Sequence, residues 1–249
     1  DITLADAKRE LEKRFGAWRA GTAAAAAAPV TAEAPPISAR AVYLVDKPGA
    51  AQSVITIGAP GVERSNPDYY AIEVMNTILG GSFSSRLNTN LRETKGYTYD
   101  ARSGFTYRPL PGPFIAQAAV RTDVTDSSLV EFFKELEAIR EAPVDSVELA
   151  RAKAYLALGV AGDFETTRDV ASRFGALLTF GLPLDYYNGY VSKIMAVTAA
   201  DVQRVARKYI TPDRLAVVVV GDVARIQPGI EALNLGPISR RNLEGKEVR

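Results

Sequence analysis

Neither histidine nor cysteine occurs among the 249 residues, which removes the imidazole and thiolate donors on which zinc, copper and iron sites mostly depend. Oxygen ligands remain, a set suited to magnesium or calcium, but no calcium-loop spacing is present. A serine or cysteine triad lacks its imidazole base for the same reason, leaving only a serine and lysine pair as a formal nucleophilic option. The most suggestive run is Leu79-Gly80-Gly81-Ser82-Phe83-Ser84-Ser85-Arg86-Leu87. Glycines ahead of a helix start can turn backbone amides toward an anion, yet this spacing fits neither a Walker loop nor a dinucleotide fingerprint. The plainer reading makes the glycines the C-cap of one helix and a serine the N-cap of the next.

The elements that must position these residues follow from periodicity. Leu4, Ala7, Leu11, Phe15 and Trp18 recur every three or four positions and predict an amphipathic helix. The run Ala23 to Ala28 and the prolines 29, 35 and 36 read as a linker over residues 19–36. Two strands, Ala41–Val45 and Ser53–Gly58, flank the turn residues Asp46 to Gly49 and are expected to form a hairpin. A helix carrying Ile72, Met75, Ile78 and Leu79 should stop at Gly80 and Gly81, with a second short helix over Ser84–Arg92. Tyr97–Tyr107 and Phe114–Val120 alternate as paired strands. Helices should then fill most of the next ninety or so residues, divided at Gly162, Gly181 and Pro183, the last opened by a capping box of Thr198 and Asp201. Leu215–Val220 reads as a buried strand, and the polar tail 239–249 as frayed. Strands mixed with runs of helices predict an α+β layer fold.

Composition narrows the function classes. The chain is 47% hydrophobic and 24% charged, enough for a sizeable core. Thirty basic residues against 29 acidic ones form no basic stripe, which argues against a nucleic-acid partner. No apolar stretch approaches the ~20 residues of a membrane span. The lack of cysteine suits the cytoplasm and the bacterial periplasm equally.

The segment Leu79 to Tyr99, LGGSFSSRLNTNLRETKGYTY, resembles the signature of the second domain in the pitrilysin or insulinase family of inverzincin metallopeptidases, which includes mitochondrial processing peptidase. Tyr43-Leu44-Val45-Asp46-Lys47-Pro48-Gly49, Phe164-Glu165-Thr166, Gly181-Leu182-Pro183 and Val219-Val220-Gly221-Asp222 support it in the family's order, over roughly Ile37 to Leu235. The resemblance implies a mixed, mainly antiparallel sheet covered by helices and internally pseudo-duplicated. One domain of such enzymes carries H-x-x-E-H and zinc; this chain has none of that motif and resembles the metal-free companion. Zinc is therefore expected in a partner half, on the same polypeptide or a separate subunit, with a peptide as substrate.

In the companion domain an arginine and a tyrosine seven positions later reach the substrate, and Arg92 and Tyr99 occupy those places. Gly80, Gly81, Ser82 and Phe83 resemble a loop near the chamber that touches substrate. On local grounds alone, Arg92 reads as a solvated helix residue and Tyr99 as a strand aromatic packed beside Tyr97 or Tyr107. The implied organisation is a C-terminal helix of a preceding domain over 1–18, a linker over 19–36, a companion peptidase domain over 37–238 and a tail over 239–249. Asp1-Ile2 opens as Gly221-Asp222-Val223 continues, so Asp1 is expected to follow a glycine of a zinc-bearing first half. The expected function is to complete a peptidase chamber, inactive alone and open to homodimerisation in isolation. A non-catalytic scaffold subunit, like the core proteins of the respiratory cytochrome complex, is the alternative, and a free-standing peptide-binding module a third.

Overall fold

The computed structural model describes residues 2–19 and 35–248 and divides into two units, Asp1–Glu33 and Ala34–Arg249. In the first, helix α1 runs from Leu4 to Phe15, its N-terminus capped by the Thr3 hydroxyl, which accepts from the Asp6 amide at 3.1 Å. Lys13 and Arg14 in the last turn oppose the negative end of the helix dipole. Asp1 and most of the linker expected over 19–36 lie outside the described residues.

The second unit is built on a six-stranded mixed sheet in the order β3-β4-β2-β5-β1-β6. Its strands are β1 (Ala41–Asp46), β2 (Gln52–Pro60), β3 (Thr98–Phe105), β4 (Pro113–Arg121), β5 (Ala216–Gly221) and β6 (Ile238–Arg241). The antiparallel β3/β4 pair forms as its alternation predicts. The hairpin expected from β1 and β2 does not form. Strand β5 lies between them, parallel to β1 and antiparallel to β2. The run of valines Val217 to Val220 satisfies its hydrogen bonds best with a neighbour on each side, so it takes an interior place and parts the two earlier strands. Nor is the whole tail frayed: Ile238–Arg241 adds to β1 as an edge strand, where arginines suit an exposed rim.

Side chains of one parity are buried with the helices, among them Val42, Leu44, Ile55, Ile57, Phe114, Ala116, Val217 and Val219. Those of the other parity, including Tyr43, Val54, Thr56, Gln117, Ala119, Val218 and Val220 but not the buried Val45, are half-buried or exposed. Helices α2 (Tyr69–Asn76), α4 (Thr125–Glu141), α8 (Ala199–Tyr209) and α9 (Val223–Ala232), with the three-residue α3 (Arg86–Asn88), supply apolar faces to this core. Ala152 of α5 (Ser146–Gly162) and Ile194 of α7 (Tyr190–Ala196) join it as well, while α6 (Thr167–Phe180) lies outside it. Local signals set several ends. The Thr198 and Asp201 capping box forms as expected, and Gly181 ends α6 in the left-handed conformation at φ 62°. No helix among the described residues is long and apolar enough to cross a membrane.

Candidate functional site

The sequence-predicted site lies where the turn after α2, the loop into α3 and the start of β3 meet. Both helical segments end in wide turns: Thr77–Gly81 and Thr89–Thr94 are π-helical. Side-chain hydroxyls accompany the widening, with Ser82 Oγ donating to the Thr77 carbonyl at 3.1 Å and Thr94 Oγ1 to the Thr89 carbonyl at 3.0 Å. Such turns add one residue per hydrogen-bonded ring and frequently occur at functional sites.

Gly80 and Gly81 are not the left-handed C-cap that the sequence suggests, since neither has a positive φ. Gly80 is small because β3 crosses it. A Cβ there would lie 2.3 Å from the Ser103 nitrogen and 2.5 Å from its hydroxyl oxygen. At Gly81 it would lie 2.8 Å from Asn76 Nδ2. Ser85 does stand at the N-cap of α3, but its hydroxyl makes no capping bond and has no partner among the described residues. A three-residue helix with no amide capped offers no anion cradle, so the phosphate reading lapses.

Arg92 lies in the second π-turn. Its guanidinium carbon stands 4.3 Å from the centre of the Phe83 ring and 5.1 Å from that of Tyr99. Phe83 and Tyr99 are 67% and 84% exposed, so Arg92 lies against two aromatic residues that face solvent. Cation–π contacts at such sites contribute about 0.5–1 kcal/mol each, enough to bias a rotamer. Arg92 Nε pairs with Glu93 at 3.3 Å. Its Nη1 and Nη2 donate to no acceptor among the described residues, and the Tyr99 hydroxyl is likewise without a partner there. Thus Arg92, Tyr99 and Phe83 come together, with Ser82 half-buried beside them and Gly80 buried beneath, in contact with the strand. Tyr99 does not pack on Tyr97 or Tyr107: Tyr97 joins the core and Tyr107 donates to Glu73 at 2.9 Å.

A bulge between Thr98 and Ala101 aims Tyr99 outward. Thr98 pairs with Val120 and Ala101 with Ala118, so Tyr99 and Asp100 share the single position opposite Ala119. The Thr98 hydroxyl fills the bulge. It lies 2.7 Å from the Ala119 carbonyl and 2.9 Å from the Asp100 carbonyl, and accepts from the Asp100 amide at 3.2 Å.

Two asparagines hold β3's outer edge. Asn88 Oδ1 accepts from the Ala101 amide at 3.2 Å while its Nδ2 donates to the Phe83 carbonyl at 2.7 Å. Asn76 Nδ2 donates to the Ser103 carbonyl at 3.1 Å, and its Oδ1 accepts from the Ser103 hydroxyl at 2.8 Å. The turns are also tied to neighbouring helices. Arg86 makes a bidentate pair with Glu148 of α5, both contacts 2.7 Å, and Asn90 Nδ2 donates to Glu131 and Glu135 of α4 at 2.9 and 2.7 Å. Lys95 adds an ion pair to Glu131 at 2.8 Å. Thr98, Asn76 and Asn88 escape sequence reasoning; the one cue is an amide at Asn88 between the buried Leu87 and Leu91.

Zinc does not fit this chain's own donors. Histidine and cysteine are absent, and no cluster of three or more acidic residues suited to a metal occurs among the described residues.

The chain is similar to known proteins. The family description "peptidase M16 inactive domain" matches residues 1–156. An uncharacterized zinc protease of Streptomyces coelicolor is 30% identical over 157 residues, covering 63% of this chain and 34% of that protein. The beta subunit of the mitochondrial-processing peptidase of Dictyostelium discoideum is 26% identical over 169 residues, covering 64% of this chain and 36% of that protein. The chain thus spans about a third of the length of these curated relatives. Among solved structures, a peptidase M16 inactive domain from Pseudomonas fluorescens superposes with a TM-score of 0.76 at 26% identity, covering 89% of this chain and 52% of that one. The family match spans more than half of the chain, which belongs to the peptidase M16 (pitrilysin-like) zinc protease family as one of its inactive domains.

Proposed function

We propose that this chain is the metal-free half of a zinc-dependent endopeptidase, completing a chamber with a zinc-bearing half and holding the peptide through Arg92 and Tyr99. The observation that carries the reading is the guanidinium against two exposed rings, with its terminal nitrogens and the neighbouring phenol unengaged by other described residues. A guanidinium suits the backbone carbonyls of an extended peptide, because its planar fork offers several N–H groups at once. A phenol O–H beside it donates to a carbonyl oxygen that gains negative charge during cleavage. Losing one such donor typically costs about 10²–10³ in rate. Gly81, Ser82 and Phe83 contribute the adjoining surface, with Phe83 as an apolar contact, while the buried Gly80 seats their turn on β3. The zinc-bearing half lies on the same polypeptide or on a separate subunit; alone this chain is inactive and pairs with a second copy.

The test is cleavage of a mixed library of unstructured peptides by this chain, by the zinc-bearing half and by the two combined, each with and without chelator. Chelator-sensitive cleavage is expected only in the mixture, falling at least about tenfold with Tyr99→Phe or Arg92→Ala. A stable complex that cuts nothing replaces this reading with a scaffold. Cleavage by this chain alone in chelator refutes it.

A further inference from the structure

Phe83 and Tyr99 belong to different elements, yet both must stay in place for Arg92 to lie against the two rings. The buried amide of Asn88, 1% exposed, joins those elements. We propose that Asn88 is the positioning residue of the Arg92 and Tyr99 pair, setting the distance between the Phe83 loop and the Tyr99 strand; this rests on the peptide-binding reading above.

The chemistry at Asn88 is specific. On one side stands a carbonyl, Phe83 O at 2.7 Å, which needs a donor; on the other stands an N–H, Ala101 N at 3.2 Å, which needs an acceptor. A primary amide carries both at a set separation. A carboxylate presents oxygen to both and repels the Phe83 carbonyl. An aliphatic side chain serves neither and leaves two polar groups unsatisfied in a dry site. The loop's other bonds reach neither Phe83 nor β3: the Ser85 amide donates to the Ser82 carbonyl and the Ser82 hydroxyl to the Thr77 carbonyl, both at 3.1 Å, while the Ser85 hydroxyl has no partner among the described residues. Asn76 supplies a matched comparison. It too bonds to β3, two residues further along, donating to the Ser103 carbonyl and accepting from the Ser103 hydroxyl, with no hydrogen bond to Phe83.

The first arm of the test uses this chain alone. In an isotope-labelled sample the Arg92 Nε–Hε resonance, identified by its loss in Arg92→Lys, carries the ring-current shift of the neighbouring rings. Asn88→Asp is expected to move that resonance toward the free-arginine position at neutral pH. The shift should return as the pH is lowered and the introduced carboxyl, its pKa raised by burial and by the facing carbonyl, regains a proton to donate. Asn76→Asp should leave it in place. Should Asn88→Asp unfold at neutral pH, Asn88→Ser takes its place, since a hydroxyl reaches at most one of the two partners. An unmoved resonance in a folded Asn88 variant, or equal movement in Asn76→Asp, overturns the proposal.

The second arm is peptide cleavage in the mixture with the zinc-bearing half. Asn88→Asp is expected to lower kcat about tenfold or more with KM little changed, and to recover toward low pH relative to the unaltered chain. A displaced Arg92 resonance with undiminished cleavage keeps the positioning role and sinks the peptide-binding reading instead. Lost cleavage with an unmoved resonance overturns the proposal.

Discussion

Gly80 shows how a single missing atom sets the geometry of a site. Its Cα lies so close to β3 that any side chain would strike backbone, which cannot rotate aside. Gly80→Ala is therefore expected to destabilise the domain by about 2–3 kcal/mol, the cost of overpacking at a rigid contact, measured as a drop in the urea midpoint with unchanged slope. An unaltered midpoint would show that the turn can retreat from the strand. The same residue marks the limit of reading single positions. A glycine pair after an apolar helix looks the same whether it caps the helix or lets a strand pass, because the sequence carries the small size but not the neighbour. The resemblance singled out Arg92, Tyr99 and Phe83; that the three meet depends on contacts across two elements. Asn88 and Thr98 stayed hidden, since a polar residue in a short helix or strand carries no mark of the partner it satisfies.

Among the elements, strands β3 and β4 and the capping box of α8 were legible because their signals are local: alternation across a short turn in one case, three residues in the other. The β1 and β2 pairing was misread because alternation shows that a strand exists and says nothing of what lies beside it. The π-turns escaped for a related reason, an i to i+5 ring leaving nearly the same apolar spacing as an α-helical one. The bulge of β3 is the element most exposed to test. Thr98→Val keeps the shape but removes the hydroxyl, and it should cost about 1 kcal/mol in stability. It should lower cleavage by the reconstituted pair by a larger factor, while Thr98→Ser restores both. Equal cleavage by the valine variant would show that the bulge holds without the hydroxyl.

The start of α2 is tied to α8 through Asp68, whose carboxylate accepts from Arg204 at 2.7 Å, Tyr209 at 2.8 Å and Lys208 at 3.0 Å. Partial burial alone would raise its pKa, but these three donors outweigh it and hold the group at about 2 against an ordinary 3.8. The pKa is depressed on folding, so the stabilisation is complete above pH 3.8 and disappears as the pH falls toward about 2. With Arg204 and Lys208 half exposed, the contribution is about 1–2 kcal/mol. Acid titration of the unfolding free energy should show this loss, and Asp68→Asn should flatten the curve there. An unchanged slope would exclude Asp68 as the source. Glu73 runs the opposite way: burial raises its pKa against the Tyr107 hydroxyl and the Arg64 charge, so its burden on the fold grows as pH rises above the ordinary carboxylate range.

At the scale of the whole domain, the sheet has one face packed by helices and another that presents Tyr43, Val54, Ala119, Val218 and Val220 half-buried or exposed. Apolar area of this kind favours association. In sedimentation velocity the isolated chain is expected to shift from monomer to dimer with rising concentration, and Val54→Lys to keep it monomeric; a monomer at every concentration would exclude that face as the contact. The placing of β5 also governs how the molecule comes into being. Ala41 pairs with Ala216, so the strand that joins the two halves of the sheet is separated from its neighbours by most of the chain. A ribosome adding about 5–20 residues per second needs roughly 10–35 s to travel from β1 to β5. Once Pro113–Arg121 has been made β2 and β4 can pair, but until β5 arrives β1 waits without a partner and β2 keeps one edge bare. The nascent chain is thus most vulnerable to miscoupling in mid-synthesis, and a ribosome that stalls before Gly221 releases a polypeptide whose sheet cannot close.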